Sequence, residues 1–259
     1  MLENDTLTRR GVLKGAAATS LAAILASPSL ARAAADSLDT VRLTTAGGKS
    51  VTAALALPDA RPAPAVLLVH EWWGLNDQIK SVARTFAQEG YVALAIDLYD
   101  GRVADGRGAA RNLMSQVDSG EAFDTVASWV RWLKAQTTVN GRVGTVGWCF
   151  GGGWSLNASI AEPVDATVIY YGRVNQPAEQ LAKLRGPVLG HFATRDGWID
   201  RDMVGAFEDR MKALGQPVTS HWYEADHAFA NPTSARYDAG DAALAWRRTL
   251  DFFKAHLGA

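Results

Sequence analysis

Residues 142–153 read Arg142-Val143-Gly144-Thr145-Val146-Gly147-Trp148-Cys149-Phe150-Gly151-Gly152-Gly153, and this stretch decides the fold. A strand signal over Arg142–Gly147 runs straight into Gly-x-Cys-x-Gly, and helical spacing resumes over Trp154–Ile160. That is a strand–turn–helix elbow with a nucleophile at its tip, with Cys where Ser is usual. Sterics dictate the residue types. A sharp turn with strained backbone pushes the central side chain outward, and the positions two before and two after must be small where strand and helix pack. The helix that follows aims the positive end of its dipole at Cys149, which favours thiolate. Cys149 is also the one cysteine in the chain, so no intramolecular disulfide competes for it.

On either side of the elbow the pattern switches repeatedly between strand and helix. Val41–Thr45 and Ser50–Leu57 flank Ala46-Gly47-Gly48-Lys49, which reads as a hairpin turn. Ala65–His70 is a continuous apolar run, the mark of a strand buried on both faces of a parallel sheet. Helices are expected over Asp77–Gln88, Ala109–Val117, Glu121–Ala135, Met203–Leu214 and Ala242–His256. Strands are expected over Tyr91–Ile96, Ala166–Tyr170, Pro187–Phe192 and Val218–Tyr223. A hairpin followed by repeated β-α units predicts an α/β fold: a mostly parallel central sheet flanked by helices, with an N-terminal antiparallel hairpin. In such sheets the ligand site lies beyond the carboxyl ends of the strands.

A nucleophile on an elbow needs a base and an orienting acid, and this architecture supplies them in the order nucleophile, acid, histidine. His191 and His221 fall inside expected strands, where a satisfied core or face histidine is the simpler account, and His256 sits in the last helical turn. His227 alone lies in a loop past a strand's carboxyl end, so it is the expected base. Asp196 directly follows the strand at Pro187–Phe192 and is the expected acid. Asp200 and Asp202 follow closely but read as helix-start carboxylates.

The remaining composition excludes more than it selects. The 259 residues carry 26 Lys and Arg against 27 Asp and Glu, a net charge of -1, which gives no reason to expect nucleic acid or an anionic membrane as partner. Residues 1–35 differ from the rest. Thr8-Arg9-Arg10-Gly11-Val12-Leu13-Lys14 precedes an Ala-rich apolar stretch over Gly15–Leu25, and Ala31-Arg32-Ala33 offers small residues where a signal peptidase reads. This layout resembles a cleavable twin-arginine-type signal, with Val12 where Phe is usual. It predicts a bacterial periplasmic or secreted enzyme, carried by the twin-arginine export machinery, with a mature chain starting near Ala34 and no stable membrane association afterwards. Residues 36–259 are then one domain.

Taken together, in order, several blocks resemble the dienelactone hydrolase (carboxymethylenebutenolidase) family of the α/β-hydrolase superfamily. They are His70-Glu71-Trp72-Trp73-Gly74-Leu75-Asn76, Asp97-Leu98-Tyr99, the Cys149 elbow, Tyr170-Tyr171-Gly172, Asp196, and His227-Ala228-Phe229. The resemblance implies hydrolysis of a small-molecule ester or lactone by a Cys149-Asp196-His227 triad through a thioester, with no metal or organic cofactor. It implies that Glu71 approaches the thiol and controls its ionisation, and that the backbone N–H groups of Trp72 and Phe150 form the oxyanion hole. Family members that process dianionic dienelactones place an arginine shortly after the histidine motif; here that position is Asn231, which carries no charge. Arg102, Arg107, Arg111 and Arg173 lie in loops or helix starts within reach of the site. Trp72, Trp73, Trp148 and Trp198, with Tyr99 and Tyr171 from the matching blocks, predict an aromatic pocket. Two alternatives stay open: a broad-specificity exported thiol esterase or acyl hydrolase, and a non-catalytic binding protein on the same scaffold.

Overall fold

The computed structural model describes residues 28–258, so the paired arginines and the apolar stretch of the expected signal lie outside the described residues. The strands are β1 (Asp39–Thr44), β2 (Ser50–Ala56), β3 (Ala63–Val69), β4 (Val92–Ile96), β5 (Val139–Trp148), β6 (Ala166–Tyr170), β7 (Val188–Ala193) and β8 (Val218–Tyr223). The helices are α1 (Pro28–Ala35), α2 (Asp77–Gln88), α3 (Arg107–Ser115), α4 (Ser119–Lys134), α5 (Phe150–Ala161), α6 (Ala178–Leu181), α7 (Arg201–Ala213) and α8 (Ala239–Leu257). All eight strands form one sheet in the order β1-β2-β4-β3-β5-β6-β7-β8. From β4 to β8 every pairing is parallel, while β1 and β2 pair antiparallel with each other and β2 pairs antiparallel with β4. The expected hairpin is thus also the bridge that extends the sheet beyond β4.

The sheet is buried on both faces. Along β3, Val66 and Leu68 face a core shared with Phe86 of α2 and Phe253 of α8. Leu67 and Val69 face the opposite core, against Val126, Trp129, Val130 and Leu133 of α4. Each such apolar side chain contributes about 1.5–3 kcal/mol by leaving water. This two-sided burial is why β3 and β4 read as unbroken apolar runs, and why β6 and β7 are buried at every position even where they carry Thr167 and His191.

Local signals start the helices where they are needed. Asn76 caps α2 by accepting the Ile79 N–H, Asp118 caps α4 by accepting that of Glu121, and Asp200 caps α7 by accepting that of Met203. Asp200 is therefore a helix cap, as its position suggested. Helix α5 begins at Phe150, four residues before the expected Trp154. Three consecutive glycines argue against helix by propensity, yet the elbow requires them in the first turn. Helix α1 falls within the segment read as the end of the signal; it packs against α2, with Ala31 and Ala35 buried. No described helix is long and apolar enough to cross a membrane.

Candidate active site

The site collects at the carboxyl ends of five parallel strands. Glu71 and Trp72 follow β3, Cys149 follows β5, Tyr171 follows β6, Asp196 follows β7 and His227 follows β8. Cys149 has φ 55° and ψ -117°, a left-handed-side conformation that costs a non-glycine residue of order 1–3 kcal/mol. The surrounding backbone enforces it. A Cβ on Gly147 would overlap the Gly151 carbonyl, and one on Gly151 would overlap the carbonyls of Val69 and His70. Tyr171 (φ 36°) and Ala228 (φ 69°) share this rare backbone region and also line the site.

His227 Nδ1 and Asp196 Oδ2 are 2.6 Å apart, with the Asp196 side chain fully buried and the imidazole one-tenth exposed. Asp196 Oδ1 accepts the backbone N–H groups of Trp198 (2.8 Å) and Ile199 (3.2 Å), which fixes the carboxylate's angle. Trp198 stands edge-on to the imidazole with centroids 5.0 Å apart, and Tyr171 covers another side at 5.1 Å. Among the described residues no hydrogen bond joins the Cys149 thiol to His227.

The thiol's surroundings oppose its ionisation. Burial first, then the Glu71 carboxylate, push the Cys149 pKa up to about 12; the Phe150 N–H pulls it down, Asp196 adds a push, and the Trp72 N–H pulls again. The expectation that the helix dipole favours thiolate is therefore overridden at rest. The two N–H groups expected as oxyanion donors do both face the sulfur. Glu71 is itself buried, and burial raises its pKa against the opposing Asn231 hydrogen bond, the nearby His227 and the Tyr171 hydroxyl. Its Oε2 accepts from Asn231 Nδ2 at 2.5 Å and its Oε1 from the Tyr171 hydroxyl at 3.3 Å.

These residues open onto a cavity of about 750 Å³. Trp72, Trp73, Phe150, Tyr171 and Trp198 line it, as does the face of α3 bearing Arg107, Arg111 and Met114, together with Arg173 and Arg236. Three expected pocket residues are elsewhere. Tyr99 is fully buried below the site, edge-on to His70 at 4.7 Å and tilted against Phe150 at 5.6 Å. The Arg102 guanidinium is tied to the Tyr99 carbonyl and to Gln116, and Arg102 does not line the cavity. Trp148 points into the core and stacks on Tyr170 at 5.4 Å. His191 is a satisfied core histidine, bonded to the Tyr223 hydroxyl and to Thr249.

Two contributors were not foreseen. Asn231 stood out in the sequence only as a missing arginine, with nothing local to mark it as the partner of Glu71. His70 is a buried peg: Nε2 accepts the Leu98 N–H (3.1 Å), so Nδ1 donates to the Glu71 carbonyl (2.6 Å) and ties the β3 loop to the β4 loop. A histidine directly after an unbroken apolar strand was the available signal.

Comparison with known proteins places this arrangement. Residues 51–257 match the model of the dienelactone hydrolase family. A candidate carboxymethylenebutenolidase of Saccharolobus solfataricus is 32% identical, over 80% of this chain and 95% of its own. The carboxymethylenebutenolidase of Pseudomonas putida is 29% identical, over 79% and 91%. Among solved structures, a candidate dienelactone hydrolase of Klebsiella pneumoniae superposes with a TM-score of 0.74 at 26% identity, over 84% of this chain and 98% of that one. With its elbow, its sheet order and a family match over residues 51–257, the chain belongs to the dienelactone hydrolase family of the α/β-hydrolases.

Proposed function

We propose that this protein hydrolyses ester or lactone bonds, with Cys149 as nucleophile, His227 as base and Asp196 as the group that orients it. The observation that carries the reading is the 2.6 Å contact between His227 Nδ1 and Asp196 Oδ2, in the loops beside the strained Cys149 elbow. With Nδ1–H given to Asp196, Nε2 is left to take the thiol proton. The sulfur then attacks the carbonyl carbon, and the N–H groups of Trp72 and Phe150 stabilise the oxyanion, each contributing roughly 3 kcal/mol. Collapse breaks the carbon–oxygen bond, and the leaving oxygen takes the proton from His227. Water attacks the resulting thioester, gives a proton to His227, and the carbon–sulfur bond breaks to restore the thiol. The names of the relatives from Saccharolobus and Pseudomonas support the lactone side of this reading.

The cavity favours a breadth of substrate beyond a small dianionic lactone. At about 750 Å³, with tryptophans on its walls and Asn231 in place of an arginine, it has room for a bulky apolar ester. A panel of lactones and aryl and alkyl esters, run on wild type and Cys149→Ala, tests both points. Full turnover by the variant would sink the mechanism, and turnover confined to small anionic lactones would sink the broader range.

Export by a twin-arginine-type signal is part of the same proposal and rests on residues 8–33 of the sequence. A thiol held protonated suits an oxidising compartment, because thiolate is the form that climbs the oxidation ladder. Replacing Arg9 and Arg10 with Lys is expected to abolish export; unchanged export would refute the assignment.

A further inference from the structure

We infer that Asn231 is a positioning residue that sets the ionisation of Cys149 by holding Glu71 in place beside it. The inference rests on the reading of Cys149 as the reacting thiol and adds a residue to its control.

The argument starts from the amide's orientation. Asn231 is 3% exposed, and its Oδ1 accepts both the backbone N–H of Thr233 (2.9 Å) and the Thr233 hydroxyl (2.7 Å). A backbone N–H only donates, so the oxygen must face Thr233 and the NH₂ must face the other way. That leaves Nδ2 directed at Glu71 Oε2, 2.5 Å distant. The Asn231 backbone is tied down as well, its N–H bonded to the Ala228 carbonyl at 3.0 Å. The amide is therefore a rigid donor aimed at one carboxylate oxygen.

Glu71 has few other anchors. The groups facing it are Cys149 beyond β5, Tyr171 beyond β6, and His227 and Asn231 beyond β8, with Asp196 behind the imidazole. His70, its neighbour in the chain, uses Nε2 as an acceptor and is neutral. The Tyr171 hydroxyl lies at 3.3 Å, a long and weak bond, so the Asn231 amide is the principal restraint on the carboxylate. A buried carboxylate stays ionised only if donors compensate its lost hydration. Take the amide away and Glu71 is both freer to turn and easier to protonate. Either change removes negative charge from beside the sulfur, and the thiol becomes easier to ionise. Neither Cys149 nor the elbow moves in this account.

Thiol alkylation by iodoacetamide, followed against pH, reads the effect without any need for turnover. Its outcome is therefore independent of whether the Cys149→Ala enzyme loses activity. Asn231→Ala, and the similarly sized Asn231→Leu in case the smaller side chain disturbs folding, are expected to raise the alkylation rate near neutral pH. The expected rise is about tenfold, equivalent to one pKa unit of the thiol. In a Glu71→Gln background the same substitutions are expected to change the rate little, because the carboxylate through which Asn231 acts is gone. A rate unchanged by both substitutions overturns the inference. So does an equal rise in both backgrounds, which would mean that Asn231 merely shapes the loop.

Discussion

Asp196 divides its two oxygens between two tasks. Oδ2 meets His227 Nδ1 at 2.6 Å, while Oδ1 accepts the N–H groups of Trp198 and Ile199 and so holds its own loop. Asp196→Asn separates these tasks. The amide oxygen still accepts from the loop, while the NH₂ now donates to Nδ1 and forces the imidazole into the wrong tautomer. Turnover is expected to fall by roughly 10³–10⁴-fold with the melting temperature near that of wild type. Steady-state kinetics beside a thermal melt check both halves.

Glu71→Gln removes the charge that stands next to the thiol; its one oxygen still accepts from Asn231, while its NH₂ replaces the oxygen that faced Tyr171 and donates to that hydroxyl instead. Since Glu71 is the second-largest cause of the raised Cys149 pKa, after burial, neutralising it lowers that pKa. Each unit of fall means about a tenfold gain in alkylation rate near neutral pH. A rate equal to wild type would remove Glu71 from any account of thiol control.

The raised thiol pKa also has a stability consequence. In the unfolded chain the thiol ionises near 9, in the folded protein near 12. Between those values the unfolded state has lost a proton that the folded state retains, so stability falls as pH rises. Below pH 9 the contribution is fully present. Wild type is expected to lose melting temperature more steeply than Cys149→Ser on moving from pH 9 to 12. Parallel curves for the two proteins would count against the raised thiol pKa.

The glycines of the elbow differ sharply in what they tolerate. Gly147→Ala and Gly151→Ala drive a methyl group into backbone carbonyls that have no room to give, which is expected to cost about 3 kcal/mol or more. Gly153→Ala, in the same helical turn, meets only Arg173 at 3.4 Å and beyond. There the gain in helix propensity is expected to stabilise by about 0.5–1 kcal/mol. Urea titrations of the three variants would show whether the ranking holds.

Several features were legible because their physics is local. Gly147, Cys149 and Gly151 obey a steric rule acting over five residues, and the unbroken apolar runs of β3 and β4 report burial on both faces. From these follow the elbow, the parallel sheet, and the search for an acid and a histidine beyond later strands. Asp196 and His227 do meet as that search expected. Where the physics is long-range, residue types alone were silent. Arg102 and Tyr99 were as eligible for the cavity as Arg111 and Tyr171, and the folding of the loop after β4 turned them away. The ionisation of Cys149 could be argued either way, since a helix start favours thiolate and a carboxylate opposes it. Burial, which exists only once the chain is folded, set the balance. Asn231 and Glu71 lie 160 positions apart, and their contact depends on β3 and β8 delivering their loops to the same end of one sheet.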